Sequence, residues 1–313
     1  MTRVDDPDTF FNQLLLIHSV EDADALIASN REHLSREFIE RLFLTADQMV
    51  GQSPEQVKAM LDVLAYAVEK TGDPLCQGDM LARRAQWERQ QQRLDRVPWL
   101  YAAAAEAYRR VPEQTADEIA RSLFNAGLAF FQQGNFPQAI TFLELAISHD
   151  LAANQPQEAI KALHLRGRIA YVQGDLPEAQ GHFQHALHLA EQHGQEEDVL
   201  SQLNNLAILQ MECGQYEAAE VYYRQVLARS EAASYRLGVA MATGNLGIVA
   251  LERSSLDGAE RFFQKAERLY QELNNWEAQA SNLGNLGLVA GRRGHHHRAV
   301  ACYQQALALM RQV

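Results

Sequence analysis

Proline is scarce in this sequence, 8 residues in 313, and glycine is limited to 18. Strand-length runs of β-branched residues are hard to find, while Ala, Leu, Gln, Glu and Arg abound. Such a composition excludes a disordered chain and favours helix throughout, because few residues break helices and most are good helix formers. Cysteine is equally sparse. Cys76, Cys213 and Cys302 are odd in number, far apart and in no C-x-x-C arrangement, so neither a disulfide framework nor a zinc site is indicated. No run of about 18 apolar residues occurs, which gives no membrane span. The first residues, MTRVDDPDTFFNQLLLIHS, place aspartates before a short apolar run, the wrong order for a signal peptide. These features together fit a cytoplasmic chain.

Positive charge is the remaining shortage. A formal charge of −12 disfavours nonspecific attachment to nucleic acid or to an anionic membrane, since both need a cationic face. One segment runs the other way: seven arginines stand between Arg83 and Arg110, against Glu88, Asp95 and Glu106, with Trp87, Trp99 and Tyr101 interleaved. No nucleic-acid motif accompanies them, so they are expected on amphipathic helices, solvated or paired with acidic neighbours.

What the sequence does contain is a period. NAGLAFFQQGNFPQAITFLELAI from Asn125, LRGRIAYVQGDLPEAQGHFQHAL from Leu165, NLAILQMECGQYEAAEVYYRQVL from Asn205, NLGIVALERSSLDGAERFFQKAE from Asn245 and NLGLVAGRRGHHHRAVACYQQAL from Asn285 align without a gap. Small residues recur every 40 positions at Gly127, Gly167, Ala207, Gly247 and Gly287. A second small set falls at Ala139, Ala179, Ala219, Ala259 and Ala299. Four residues after each comes a bulky one: Leu143, Phe183, Tyr223, Phe263 or Tyr303. Residues at these spacings share a helix face, so each copy reads as two close antiparallel helices with the bulky residue filling the space between. Gly134, Gly174, Gly214 and Gly294 end the first helices, and Pro137 and Pro177 open the second where a missing N–H costs nothing.

This pattern resembles the tetratricopeptide repeat family, whose L-G pair, A-x-x-x-F and following Ala are matched by NLGIVALERSSLDGAERFFQKA and more loosely by the other copies. The resemblance covers residues 120–313. The period departs from the family's usual length, and the proline common after the second helix is replaced by Leu151, Glu191, Glu231 and Gln271. Longer repeats of this kind are similar to those of bacterial peptide-sensing regulators and NLGN-type scaffold proteins. The fold this implies is all-α: a right-handed α-solenoid of helical hairpins over residues 116–313, preceded by an N-terminal helical region over 1–115.

The preceding region shows no 40-residue register but reads as five or six helices. Ser53, Pro54 and Gly72 mark cap, first position and end of one of them, SPEQVKAMLDVLAYAVEKTG. The segments GDMLARRAQWERQQQRL and VPWLYAAAAEAYRRV read as one degenerate repeat, and VPEQTADE as the joint into the array. The run LLLIHSVEDADALIASNREHLSREFIERL resembles helices that precede such arrays in large bacterial signalling proteins, including ones ending in a CHAT protease.

The resemblance implies that the first helices line a concave groove able to hold a peptide or another helix. In the family the asparagine ahead of the L-G pair either hydrogen-bonds a ligand backbone or ties adjacent repeats together. The matching residues are Asn125, Asn205, Asn245 and Asn285, with Leu165 interrupting. Around them stand Asn204, Gly244 and Gly284 one residue earlier, and Leu128, Arg168, Ile208, Ile248 and Leu288 three later. Glycine inside a helix costs about 1 kcal/mol against alanine, so Gly244 and Gly284 suggest close approach of a ligand backbone or of the next helix. Arg168 would anchor a ligand carboxylate or simply be a surface arginine.

Two tempting sites dissolve in the alignment. Gly284, Gly287, Gly291 and Gly294 belong to a helix and its end, not to a G-x-G-x-x-G loop after a strand. His295, His296 and His297 occupy an interhelical turn, and without a carboxylate or thiolate to complete a tetrahedral set they are expected to be exposed and polar. His182, His185 and His188 are expected on a polar outer face. No G-x-S-x-G, H-E-x-x-H or Walker motif is present, so no catalytic residue, cofactor or metal is expected. Last, the final repeat carries Val300, Leu307 and Met310 where a following repeat would pack, while the first of these positions is Gln180, Glu220 and Glu260 in earlier copies. Self-association there, or a longer parent chain, would cover them. The expected function is therefore a non-catalytic module for a protein or peptide partner, with the sensor region of a larger bacterial signalling protein, whether protease or phosphorelay regulator, and a self-assembling module as alternatives.

Overall fold

The structure, a computed structural model, describes residues 4, 6–17, 19–48, 53–193 and 195–311. Among these it holds sixteen α-helices, three single 3-10 turns and no strand, an all-α solenoid of helical hairpins. The backbone divides into two compact units, residues 1–166 and 167–313, with the boundary inside one helix.

In the first unit, helices α1 (Pro7–Leu15), α2 (Val20–Ser29), α3 (Arg36–Gln48), α4 (Pro54–Thr71), α5 (Pro74–Gln90) and α6 (Val97–Tyr108) precede the repeats. Their starts follow from local chemistry. Asp6 accepts from the Thr9 N–H at 2.9 Å and Ser19 from the Asp22 N–H at 3.1 Å, each occupying a donor the first turn leaves unpaired. Ser53 caps α4, Pro54 stands at its first turn, and Gly72 closes it at φ +69°, a left-handed conformation that only glycine adopts without cost. The 3.6-residue period of SREFIERLFLTADQMV predicts one helix, α3, whose last two residues, Met49 and Val50, lie outside the described residues. Phe10, Phe38, Ile39, Leu64 and Trp87 join one apolar core, with the Phe10 and Phe38 rings stacked at 4.9 Å.

Of the seven arginines only Arg83, Arg84 and Arg89 lie on an α-helix, α5. Arg93 and Arg96 stand in the link to α6 and Arg109 and Arg110 follow its end, contrary to the expected helical placement, and several of them are paired. Arg84 reaches Asp62 at 2.6 Å and Glu88 at 3.2 Å, Arg83 meets Asp47, and Arg109 meets Glu106 at 3.2 Å. Helix α6 packs on both α5 and on α7 (Ala116–Gln132), which in turn packs on α8 (Phe136–Ala152). The 3-10 turn Pro112–Gln114 stands at the joint ahead of α7.

Asp150, on α8, is 2 % exposed and accepts the Ala159 N–H at 2.8 Å at the start of α9 (Gln157–Val172). Burial holds its carboxyl above the ordinary 3.8, assisted by the charge of Glu158 and opposed by the backbone donors. A raised folded-state pKa means that stability linked to this proton is complete below the unfolded value and lost as pH rises through the folded one. Asparagine keeps the acceptor and removes the buried charge. Asp150→Asn should therefore match the parent's urea stability in acid and exceed it at neutral pH; a variant weaker at neutral pH would mean that the carboxylate's bond to α9 dominates.

The second unit holds the rest of α9, then α10 (Leu176–His193), α11 (Glu196–Glu212), α12 (Tyr216–Ala232), α13 (Arg236–Glu252), α14 (Leu256–Glu272), α15 (Trp276–Arg292) and α16 (His296–Met310). Each hairpin closes on the small-residue ladder. A Cβ at Gly167 would lie 2.5 Å from the Phe183 ring, one at Gly247 2.6 Å from Phe263 and one at Gly287 2.7 Å from Tyr303, so the ring fills the space where the side chain is missing. Gly127 and Leu143 repeat the arrangement in the first unit at 2.8 Å.

Turns between the hairpin helices follow the expected glycines, with φ from +70° to +82° at Gly134, Gly174, Gly214 and Gly294; in the fourth copy Ser254 takes the same conformation at +60°. The second helices end in the same way, through Asn154, Ser234 and Asn274 at φ near +55°, which explains how these repeats stop without the family's proline. Adjacent repeats are also tied by ion pairs in the 40-residue register. Arg253 meets Glu220 at 2.6 Å and Arg293 meets Glu260 at 2.7 Å. The last two residues of the fifth copy, 312 and 313, lie outside the described residues.

Candidate functional site

Within the second unit, α11, α13 and α15 are the first helices of consecutive repeats. Their Leu-Gly or Leu-Ala pairs turn inward: Leu206, Ala207, Leu246 and Gly247 are buried. Helical periodicity then sends the residues around the asparagines to the other face. On α11 these are Ser201, Asn204, Asn205 and Ile208, all half-buried; on α13 Met241, Gly244, Asn245 and Ile248; on α15 Ser281, Gly284, Asn285 and Leu288. Met241, Ile248 and Leu288 are 45 %, 37 % and 40 % exposed, so each helix offers an aliphatic wall beside amides. No side chain in these twelve positions is charged. Carboxylates gather at the N-terminal rim instead, at Glu196, Glu197 and Glu277.

The amides are partly used by the protein itself. Asn245 Nδ2 donates to Asn204 Oδ1 at 3.3 Å, a link between consecutive repeats. Asn282, which sequence reasoning did not single out, is buried and donates to the Phe263 carbonyl at 2.6 Å, while Gln279 donates to Glu267 at 2.8 Å. Both tie α15 to α14.

Gly244 and Gly284 do not owe their identity to a neighbouring helix. A Cβ at Gly284 would meet nothing within 4 Å, and one at Gly244 would only touch Ala266, Asn282 and the Tyr270 hydroxyl at 3.8 Å. Two depressions open on this face, one of them beside Gly244. One, of about 420 Å³, lies between α13 and α15, bounded by Leu237, Met241, Gly244, Ile248, Ser281 and Asn285 and backed by Tyr270. The other, of about 680 Å³, lies between α11 and α13, bounded by Glu197, Leu200, Ser201, Asn204, Tyr235 and Met241 and backed by Ser230. Leu237, Met241, Tyr235 and the back-wall residues were missed in the sequence, although Ser201, Met241 and Ser281 stand at one 40-residue register position, one turn before each asparagine. Burial pushes the Tyr270 hydroxyl above its ordinary value, so it stays a neutral donor at any physiological pH.

The other predicted residues are not among those that line these depressions. Asn125 and Leu128 are half-buried on α7 in the first unit, and Arg168 is exposed on α9. His295 to His297 are exposed at the start of α16, and His182 lies 3.3 Å from Glu178. Among the described residues no group of three His, Cys, Asp or Glu is placed to hold a metal ion, and no helix is long and apolar enough to cross a membrane. Cys76 is buried, which pushes its thiol up to about 12 and leaves it unreactive. Val300, Leu307 and Met310 are each more than half exposed on α16.

A tetratricopeptide repeat model matches residues 198–272 and again 238–312, and a second tetratricopeptide repeat model matches 100–159, together more than half of the chain. The chain belongs to the tetratricopeptide repeat family. The second match begins in α6, ahead of the five aligned copies, where the sequence showed no register. No curated protein matches the chain. Among solved structures, this tetratricopeptide repeat protein is similar to BtubC (BKLC) from P. vanneervenii, with TM-score 0.62 and 21 % identity over 70 % of this chain and 91 % of that one. The apo form of RapI gives TM-score 0.60 and 11 % identity over 87 % and 97 %. A Signal Transduction ATPase with Numerous Domains protein with a tetratricopeptide repeat sensor, from Pyrococcus horikoshii, gives 0.65 and 13 % over 97 % of this chain and 48 % of its own. At these identities the likeness concerns the fold.

Proposed function

We propose that this tetratricopeptide repeat protein is a non-catalytic interaction module that captures an extended peptide segment of a partner along α11, α13 and α15, with Arg168 contributing from α9 within the same unit. The observation that carries this reading is the uncharged stripe of amide, glycine and aliphatic side chains repeated on three consecutive first helices. An amide offers a donor and an acceptor to a peptide unit whatever its side chain, and the aliphatic walls supply apolar burial. A peptide-sensing or phosphorelay regulator, or the sensor region of a longer signalling chain acting in the cytoplasm, would use the same surface. A displayed library of twelve-residue peptides panned against the full chain tests the reading. Enriched peptides should lose binding to Ile248→Glu with Leu288→Glu; peptides that hold equally well to this variant would place capture elsewhere.

A second reading, self-association, is favoured by the face of α16. In earlier copies the position of Met310 is Asp150, Ala190, Ser230 or Tyr270, all buried, and that of Val300 in the fourth copy is Glu260, paired with Arg293 and Arg298. On α16 these positions and Leu307 carry exposed apolar side chains. Burial of each is worth about 1.5–3 kcal/mol, enough for two copies to pair there. Light scattering should show dimers that Val300→Glu with Leu307→Lys converts to monomers without loss of helicity. A parent chain that is monomeric at high concentration would remove this reading.

A further inference from the structure

The two depressions are the same place in successive repeats, yet they are lined by different chemistry. Forty residues relate Glu197 to Leu237, Ser201 to Met241, Asn204 to Gly244, Ser230 to Tyr270 and Tyr235 to Asn275, and Met241 forms a wall of both. The α13–α15 depression is floored by Gly244 and walled by Leu237, Met241 and Ile248, with amides and a single carboxylate, Glu277, at its rim. The α11–α13 depression is apolar in its walls, Leu200, Met241 and the Tyr235 ring, but acidic at its mouth. There the guanidinium of Arg229 is shared by Glu191 at 3.1 Å and Glu196 at 3.0 Å. Glu197 has no ion-pair partner among the described residues, so three carboxylates face one cation. At the back, Ser230 is wholly buried, its hydroxyl has no hydrogen-bond partner, and it is turned toward Gly238 in the wall of the depression.

We infer that the peptide captured by this groove is bipartite and basic: an aliphatic side chain seats between α13 and α15, and a lysine or arginine seats between α11 and α13. This rests on the groove reading above. A long cationic side chain suits the second depression because its methylene stem can lie along Leu200, Met241 and Tyr235 while its head reaches Glu197. An acidic side chain there would face uncompensated like charge. Neighbouring packed helices stand about 8–10 Å apart. A polyproline-like chain advances about 3.1 Å per residue, which separates the two anchors by roughly three residues on one side of the peptide. The chain's net charge of −12 adds long-range attraction for a cationic partner.

The twelve-residue library, panned in parallel on the parent chain, on Glu197→Lys and on Ile248→Glu with Leu288→Glu, tests this. Circular dichroism verifies that each variant is folded. The parent should enrich peptides with a lysine or arginine about three residues from an aliphatic residue. Glu197→Lys should bind those peptides at least tenfold more weakly by fluorescence anisotropy and should enrich acidic residues at the same spacing. Raising salt should weaken the parent's binding of the basic peptides more steeply than it weakens their residual binding to Glu197→Lys. Enrichment of acidic or uncharged peptides by the parent, still lost in the Ile248→Glu, Leu288→Glu variant, would overturn the basic anchor and leave the groove in place. Peptides indifferent to that variant, or no enrichment at all, would remove the groove and the anchor together.

Discussion

Phe263→Ala is expected to cost about 3–5 kcal/mol, the range for emptying a fully buried phenylalanine site. Phe263 is 0 % exposed and packs with Leu251, Ala259 and Val289, and its ring occupies the space that Gly247 leaves open. The loss falls on α13 and α14 directly. Because each repeat is held by its neighbours, α15 and α16 should unfold with them, so urea denaturation followed by helical signal should lose its single transition. Two glycines on α13 sharpen the expectation. Gly247→Ala drives a methyl into the Phe263 ring and should cost about 1–3 kcal/mol by overpacking. Gly244→Ala, three residues earlier, meets nothing closer than 3.8 Å and should instead stabilise by about 0.4–1 kcal/mol through the unfolded chain. A destabilised Gly244→Ala would show that the groove floor is packed more tightly than the structure indicates.

Asn205→Ala with Asn245→Ala carries the second large effect, this time on binding. Each amide that pairs with a ligand peptide unit is worth about 1–1.5 kcal/mol, and 1.4 kcal/mol is tenfold in affinity, so the double variant should bind enriched peptides about 100-fold more weakly. Its folding stability should fall by about 1 kcal/mol for each internal hydrogen bond lost, the link from Asn245 to Asn204 among them. Unchanged affinity with a large loss of stability would assign these residues to tying the repeats together and nothing more.

The array was legible because close packing restricts side chains in register. Gly127, Gly167, Gly247 and Gly287 each face a bulky partner 16 residues on, and no larger residue fits, so the constraint is written into the letters. The asparagines and their aliphatic neighbours were legible for the same reason, since a helix that buries its L-G pair must present the opposite face to solvent. The depressions were not. Their walls combine two first helices with a residue from the second helix between them, Ser230 or Tyr270, and nothing in a linear pattern marks such a meeting. The left-handed Asn154, Ser234 and Asn274 escaped notice because polar residues at helix ends are common without that conformation. In the first unit, caps such as Ser53 and Gly72 showed where helices start and stop, but the pairing of Phe10 with Phe38 has no repeat to announce it.

The central claim is that the stripe on α11, α13 and α15 holds a peptide. Site-specific photo-crosslinking tests it most directly. A benzophenone side chain is placed at Met241, 45 % exposed and shared by both depressions, or at Arg268, exposed on α14, and each protein is irradiated with the enriched peptide pool. The account predicts a covalent peptide adduct from the Met241 position and none from Arg268. Adducts from Arg268 alone, or from neither position while the peptides remain bound, would contradict it.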